Sequence, residues 1–250
     1  MQPSNKKRFM SVKKHIPNAI TCCNLFSGCV ACVMAFSGEF EFAMLFIVLG
    51  AVFDFFDGMV ARLLGVSSPL GVQMDSLADD ITFGLAPATV IFSFMKDVLA
   101  YPAFLGGFAA VLPYCAFLIA VFSACRLAKF NIDTRQTTSF IGLPTPANAL
   151  FWSSLIVGGK EWLLGLEHAW ALLLVLILLF SYFLVSEIPM FSMKFKNLSW
   201  KSNKRRYTFL IVSIPMLALG YLAPVAIISW YLFLAIALYK KKMIALHKKA

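Results

Sequence analysis

Long apolar runs divided by short polar breaks set the pattern of this chain. About 20 consecutive apolar residues cross a bilayer as a helix, and eight such segments can be drawn, at roughly residues 18–37, 41–63, 75–95, 102–125, 146–159, 168–189, 207–220 and 223–239. The pattern predicts an all-α, polytopic membrane bundle of about eight transmembrane helices. The fifth and seventh runs are short, and a tilted, re-entrant or partly merged helix fits them as well as a full span. Ahead of the first run, Phe9, Met10, Val12 and Ile16 alternate with Lys6, Lys7, Arg8, Lys13 and Lys14. That spacing predicts a basic amphipathic helix lying on an anionic leaflet, the alternative being a plain basic tail. Three regions follow: the amphipathic segment 1–16, a membrane core 17–190, and a loop, helix pair and basic tail over 191–250.

Composition agrees. Of 250 residues, 60% are hydrophobic and 14% charged, against about 25% charged in soluble domains. Neither a cleavable signal peptide, nor an internal repeat, nor a second globular domain is expected. A net charge of +10 would suit nucleic acid, but the basic residues fall at the ends of apolar runs, so no nucleic-acid partner is expected. With the N-terminus in the cytoplasm, 20 of the 22 Lys and Arg residues fall on the inner side, and only Lys96 and Lys160 fall outside. This bias predicts cytoplasmic termini and an even number of spans. Cys29 and Cys32 have a metal-like spacing, but their setting is apolar, and all six cysteines read as small packing residues. His15, His168 and His247 show no ligand or triad spacing.

One polar cluster breaks the apolar logic. Asp54, Asp57, Asp75 and Asp79 stand in the pattern D-x2-D-G-x2-A-R-x8-G-x3-D-x3-D, with Gly58, Ala61, Arg62 and Gly71 at the other fixed positions. A carboxylate at bilayer depth costs about 2.5–3.5 kcal/mol on insertion scales. Asp54 and Asp57 share one helix face, as do Asp75 and Asp79, and Gly65 to Gly71 reads as a break. Two helices joined there would gather four carboxylates around one or two hard divalent cations such as magnesium, manganese or calcium. A solvated acidic face is the bland alternative, but the apolar run into Asp54 leaves little room for it. Gly58 and Ala61 allow close backbone approach. Asp80 points about 100° away from Asp79 and reads as a helix-terminus or outer neighbour, not a ligand.

Two further polar groups stand out. Asn18, Thr21 and Asn24 recur every three residues at the start of the first run; they either bond a neighbouring helix or face a nucleotide or loop, and the second reading is preferred. Arg126 and Lys129, three apart at the cytoplasmic edge of the fourth run, suit a phosphate or carboxylate. Ordinary positive-inside bias explains them equally well.

The aspartate pattern closely resembles the signature of the CDP-alcohol phosphotransferases, membrane enzymes that make phospholipids from a cytidine-diphosphate-linked lipid. All eight motif residues match. Pro17–Gly28, Asp75–Ala88, Arg126–Asn131, Phe140–Ala149 and Ser186–Lys194 resemble the phosphatidylserine synthase branch, whereas residues 197–250 resemble it only in span pattern. The resemblance implies transfer of a phosphatidyl group from CDP-diacylglycerol to L-serine, releasing CMP. It implies Mg2+ or Mn2+ held by Asp54, Asp57 and Asp75, with Asp79 as general base that also contacts metal. It implies a nucleotide site at Asn18, Thr21, Asn24, Gly58, Ala61, Arg62 and Gly71, with Arg126 or Lys129 near the serine. A homodimer in the cell (inner) membrane, its active site facing the cytoplasm, belongs to the same expectation. Phosphatidylglycerophosphate synthesis, another CDP-alcohol transfer, and divalent-cation transport remain as alternatives.

Overall fold

The computed structural model describes residues 3–133, 140–190 and 199–247. Arg135, Lys194, Lys196, Lys248 and Lys249, counted above among the inner charges, lie outside these ranges, as do the side chains of residues 3–12, Lys14, Lys201 and 240–247.

The described chain is a helical bundle, and all eight apolar runs fall on helical segments. Helix α1 (Pro3–Phe36) carries Pro17 inside it, so the basic N-terminal segment continues into the first span as one helix. A turn at Ser37–Gly38, with Gly38 at φ 77°, leads into α2 (Phe40–Leu64). That helix stops at Gly65, whose left-handed φ of 60° lets its N–H reach the carbonyls of Ala61 and Arg62, the usual glycine stop. Helix α3 (Pro69–Asp79) starts on Ser68, whose Oγ accepts from the Gly71 N–H at 2.9 Å, with Pro69 at its first position; both are strong start signals. The third span therefore begins about six residues earlier than the apolar run suggests. It continues through a π-helical stretch (Asp80–Leu85), α4 (Ala86–Ser93) and a second π-helical stretch (Phe94–Val98).

The fourth run departs from a single α-helix. Its first part is 3-10 helical, over Ala103–Ala110 and Leu112–Phe117, with a kink at Gly106. Only then does α5 (Leu118–Ile132) form. After β1 (Phe140–Ile141) comes α6 (Thr145–Leu164), opened by Pro144 and Pro146, then α7 (Ala169–Val185) and β2 (Pro189–Met190). The two strands pair antiparallel, Phe140 opposite Met190. Gly142, at φ 77°, donates its N–H to Ile188 O at 3.0 Å, and a Cβ there would meet Leu184 O at 2.5 Å. Helices α8 (Trp200–Met216) and α9 (Ala223–His247) close the chain around a 3-10 turn containing Gly220 at φ 57°.

Among the described residues, five stretches are long and apolar enough to cross a bilayer: His15–Phe36, Phe40–Leu64, Pro69–Val98, Leu112–Ile132 and Asn203–Tyr239. The last holds two helices, because Gly220 turns the chain within it. Helix α6 has 20 residues, not the short span expected, but Lys160 and Glu161 lie near its end. Much of it is enclosed: Phe151 stacks on Phe180 at 4.0 Å between ring centroids, and Trp152 is fully buried. Large apolar side chains such as Phe26, Phe55, Phe104, Val175 and Phe233 point outward, as a lipid-facing surface requires.

Small residues set the closest helix approach. A Cβ on Gly28 would lie 2.4 Å from Thr82 Oγ1 and 2.8 Å from Thr82 Cα; one on Gly50 would lie 2.4 Å from Thr82 Cγ2. Helix α1 packs against both α2 and α3, and α1 and α2 both meet the π-helical stretch. These contacts bring α1 to the aspartates.

Candidate active site

The two aspartate pairs converge. One carboxylate oxygen from each of Asp54, Asp57 and Asp75 lies within 4.8 Å of the others. Oxygen ligands sit about 2.0–2.6 Å from magnesium or calcium, so opposed ligands around one ion stand about 4–5 Å apart, and this triplet fits a divalent cation. Asp79 is outside the triplet but within electrostatic reach of all three.

Helix α1 holds the carboxylates in place. Thr21 Oγ1 donates to Asp57 Oδ2 at 2.6 Å and also lies 3.1 Å from Pro17 O. One turn further along, Asn24 Nδ2 donates to Asp79 Oδ1 at 3.1 Å. Thr82 Oγ1 donates to the Asn24 carbonyl at 3.0 Å, so α1 and the π-helical stretch brace each other beside Asp79. From the far side, Asn131 Nδ2 at the end of α5 donates to Ser76 Oγ at 2.8 Å, next to Asp75.

A cavity of about 420 Å3 opens beside the triplet, lined among others by Asn18, Thr21, Asp57, Gly58, Ala61, Arg62, Gly71 and Asp75. Pockets for small ligands run to about 300–1,000 Å3. Its walls come from α1, the α2 C-terminus, the Gly65–Ser68 turn and the start of α3. Arg62 folds back along α2, and a Cβ on Gly58 would stand 3.3 Å from its guanidinium. A Cβ on Gly71 would be 3.0 Å from Asn18 Oδ1. Six of the seven residues expected around a nucleotide thus line one cavity, and the seventh, Asn24, sits behind it on Asp79.

Arg126 and Lys129 part company. Lys129 is half-exposed and pairs with Glu187 at 2.5 Å. Arg126 is buried, 7% exposed, and lies 3.4 Å from Thr145 Oγ1 on α6. It is also within electrostatic reach of Asp79. Neither lines the cavity.

Some of these contacts have no local signal in the chain. The Asn24–Asp79 and Asn131–Ser76 bonds each join residues 55 positions apart, so periodicity along one helix does not show them. Asn148, fully buried with no hydrogen-bond partner for its amide among the described residues, could have been flagged as a polar residue in an apolar run.

The profile of the CDP-alcohol phosphatidyltransferase family matches residues 14–239. The chain is similar to the CDP-diacylglycerol–serine O-phosphatidyltransferase of Helicobacter pylori (strain 26695), with 30% identity over 218 residues, 86% of this chain and 85% of that one. It is 36% identical over 132 residues to the Bacillus subtilis protein of the same name, covering 53% of this chain and 70% of the other. It is 33% identical over 146 residues to the archaetidylserine synthase of Methanothermobacter thermautotrophicus, 58% of each. With a profile match over most of its length, and with six of the eight residues of the aspartate motif lining one cavity, the chain belongs to the CDP-alcohol phosphatidyltransferase family.

Proposed function

We propose that the protein is a phosphatidylserine synthase, which transfers the phosphatidyl group of CDP-diacylglycerol to the hydroxyl of L-serine and releases CMP. The observation that carries this reading is the carboxylate triplet beside a cavity lined by Asp57, Gly58, Ala61, Arg62, Gly71 and Asp75. The names of the relatives support serine as acceptor.

Asp54, Asp57 and Asp75 would hold the divalent cation, Mg2+ or Mn2+. When bound, such an ion neutralises diphosphate charge and stabilises the departing CMP phosphate. Thr21 fixes Asp57 by donating to its Oδ2. Gly58, Ala61 and Gly71 leave the backbone open to the nucleotide, and Arg62 brings a cation to the rim of the cavity. Asn24 anchors one Asp79 oxygen, so the other stays available as general base. The serine oxygen bonds to the phosphorus that carries diacylglycerol, the bond from that phosphorus to the bridging oxygen breaks, and CMP leaves with the electron pair. The serine proton passes to Asp79.

In this reading the enzyme sits in the cell membrane as a homodimer, with its termini and cavity on the cytoplasmic side. The positive-inside bias supports the orientation, and the family resemblance supports the dimer. The test is CMP release from CDP-diacylglycerol by pure protein with L-serine, glycerol 3-phosphate or myo-inositol. Release that depends on L-serine is expected; equal or greater release with another acceptor would overturn the acceptor assignment.

A further inference from the structure

Behind Asp79, away from the nucleotide cavity, lies a second group of polar side chains that the reaction above does not use. Ser123 and Arg126 are one turn apart on α5, and Thr145 and Asn148 are one turn apart on α6. Arg126 lies 3.4 Å from Thr145 Oγ1, which joins the two faces. Both helices pack on the π-helical stretch that begins with Asp80. A Cβ on Gly84 would stand 2.8 Å from Asp80 Oδ1 and 3.0 Å from Ser123 Cβ, so the Asp80 carboxylate points at the same α5 face. Arg126 in turn is within electrostatic reach of Asp79.

These groups are buried without being satisfied. Ser123 and Asn148 are 0% exposed and Arg126 is 7% exposed. Among the described residues, Arg126 Nε, Ser123 Oγ, Asp80 Oδ1 and both amide atoms of Asn148 have no hydrogen-bond partner. An unpaired buried polar group costs about 1–3 kcal/mol, and more when charged. Several such groups converging from three elements in the interior of a membrane bundle mark a place that a polar ligand completes.

The charges define that ligand. The group offers one guanidinium and one carboxylate, with neutral donors and acceptors between them. A dianionic acceptor such as a sugar or glycerol phosphate would leave Asp80 facing like charge, and a neutral polyol would leave both charges unpaired. We propose that Asp80, Ser123, Arg126 and Asn148 form the acceptor subsite and select a small zwitterionic amino acid: Arg126 takes the carboxylate, Asp80 the ammonium, and Asn148 bonds the backbone-like atoms between them. The proposal rests on the phosphatidylserine synthase reading and assigns specificity residues to it. The acceptor's hydroxyl is thereby left toward Asp79.

Full-length protein, loaded with Mn2+ and supplied with CDP-diacylglycerol, tests the subsite through the KM for L-serine. Asp80→Asn and Asn148→Ala should each raise that KM by about tenfold or more while changing the KM for CDP-diacylglycerol less than about twofold. Asp80→Asn should also lose the preference for L-serine over 3-hydroxypropanoate, which lacks the ammonium, a change that a purely structural role does not produce. An unchanged serine KM in both variants overturns the subsite. Wild-type protein gives a second measurement that needs no variant: 3-hydroxypropanoate and ethanolamine, each missing one charge, should compete with L-serine at least about tenfold more weakly than L-serine's own KM implies. Closer competition by either overturns the charge pairing. Failure of the serine reading itself shows differently, as wild-type CMP release that does not respond to L-serine at all.

Discussion

At the scale of single residues, the site divides its carboxylates by their neighbours. Asp54, Asp57 and Asp75 share one small volume, whereas Asp79 stands apart with an amide on one of its oxygens. A ligand that positions the cation affects both binding and turnover; a base acts mainly in the transition state. Asp75→Asn should therefore weaken both Mn2+ and CDP-diacylglycerol binding, measured by calorimetry, and abolish CMP release. Asp79→Asn should abolish release while keeping more of both affinities. Equal loss of binding in the two variants would make Asp79 a ligand and leave the base unassigned. Much of this was legible in the chain, because i,i+3 and i,i+4 spacings put carboxylates on common faces and the glycines mark close approach. The contacts of Thr21 and Asn24 were legible only as a shared face. Which carboxylate each one meets depends on how α1 lies against α2 and α3, and no local pattern encodes that.

At the scale of elements, α1 acts as a wedge. It touches the carboxylates through Thr21 and Asn24 and the π-helical stretch through Gly28. Gly28 has no room for a side chain: an added Cβ would come within 2.8 Å of backbone at Thr82, and overpacking of this kind costs about 1–3 kcal/mol. Gly28→Ala should lower thermal stability by that amount. It should also reduce turnover, since moving α1 from Thr82 moves Asn24 from Asp79. Unaltered melting and activity would show that the α1 contact is soft. Among the described residues, the apolar runs located every membrane-length helical segment, because burial in lipid demands length and hydrophobicity. They did not reveal the π-helical stretches or the 3-10 start of the fourth run, since hydropathy does not register the close helix approach at Gly84 or the backbone kink at Gly106. They also began the third span too late. Ser68 and Pro69 are the true start signal, and they lie in the polar break that hydropathy discards.

At the scale of the whole molecule, the cavity must open to the side where nucleotides are made. Helix α2, 25 residues long, spans about 37 Å at 1.5 Å per residue, so Glu39 and Ser67 at its two ends stand on opposite sides of the bilayer. In a cysteine-free variant of the protein, a membrane-impermeant thiol reagent should label Ser67→Cys only from the cytoplasmic side and Glu39→Cys only from the outside. The reverse pattern would put the cavity on the wrong face. In the proposed reaction this site joins the serine oxygen to the phosphatidyl phosphorus and expels CMP. It is tested most directly by giving the pure, Mn2+-loaded protein CDP-diacylglycerol and L-serine labelled with heavy oxygen in its hydroxyl, and analysing both products by mass spectrometry. One CMP is expected for each phosphatidylserine, with the label retained in the lipid and none in CMP. CMP formed without a serine-bearing lipid, or a lipid that has lost the label, would contradict it.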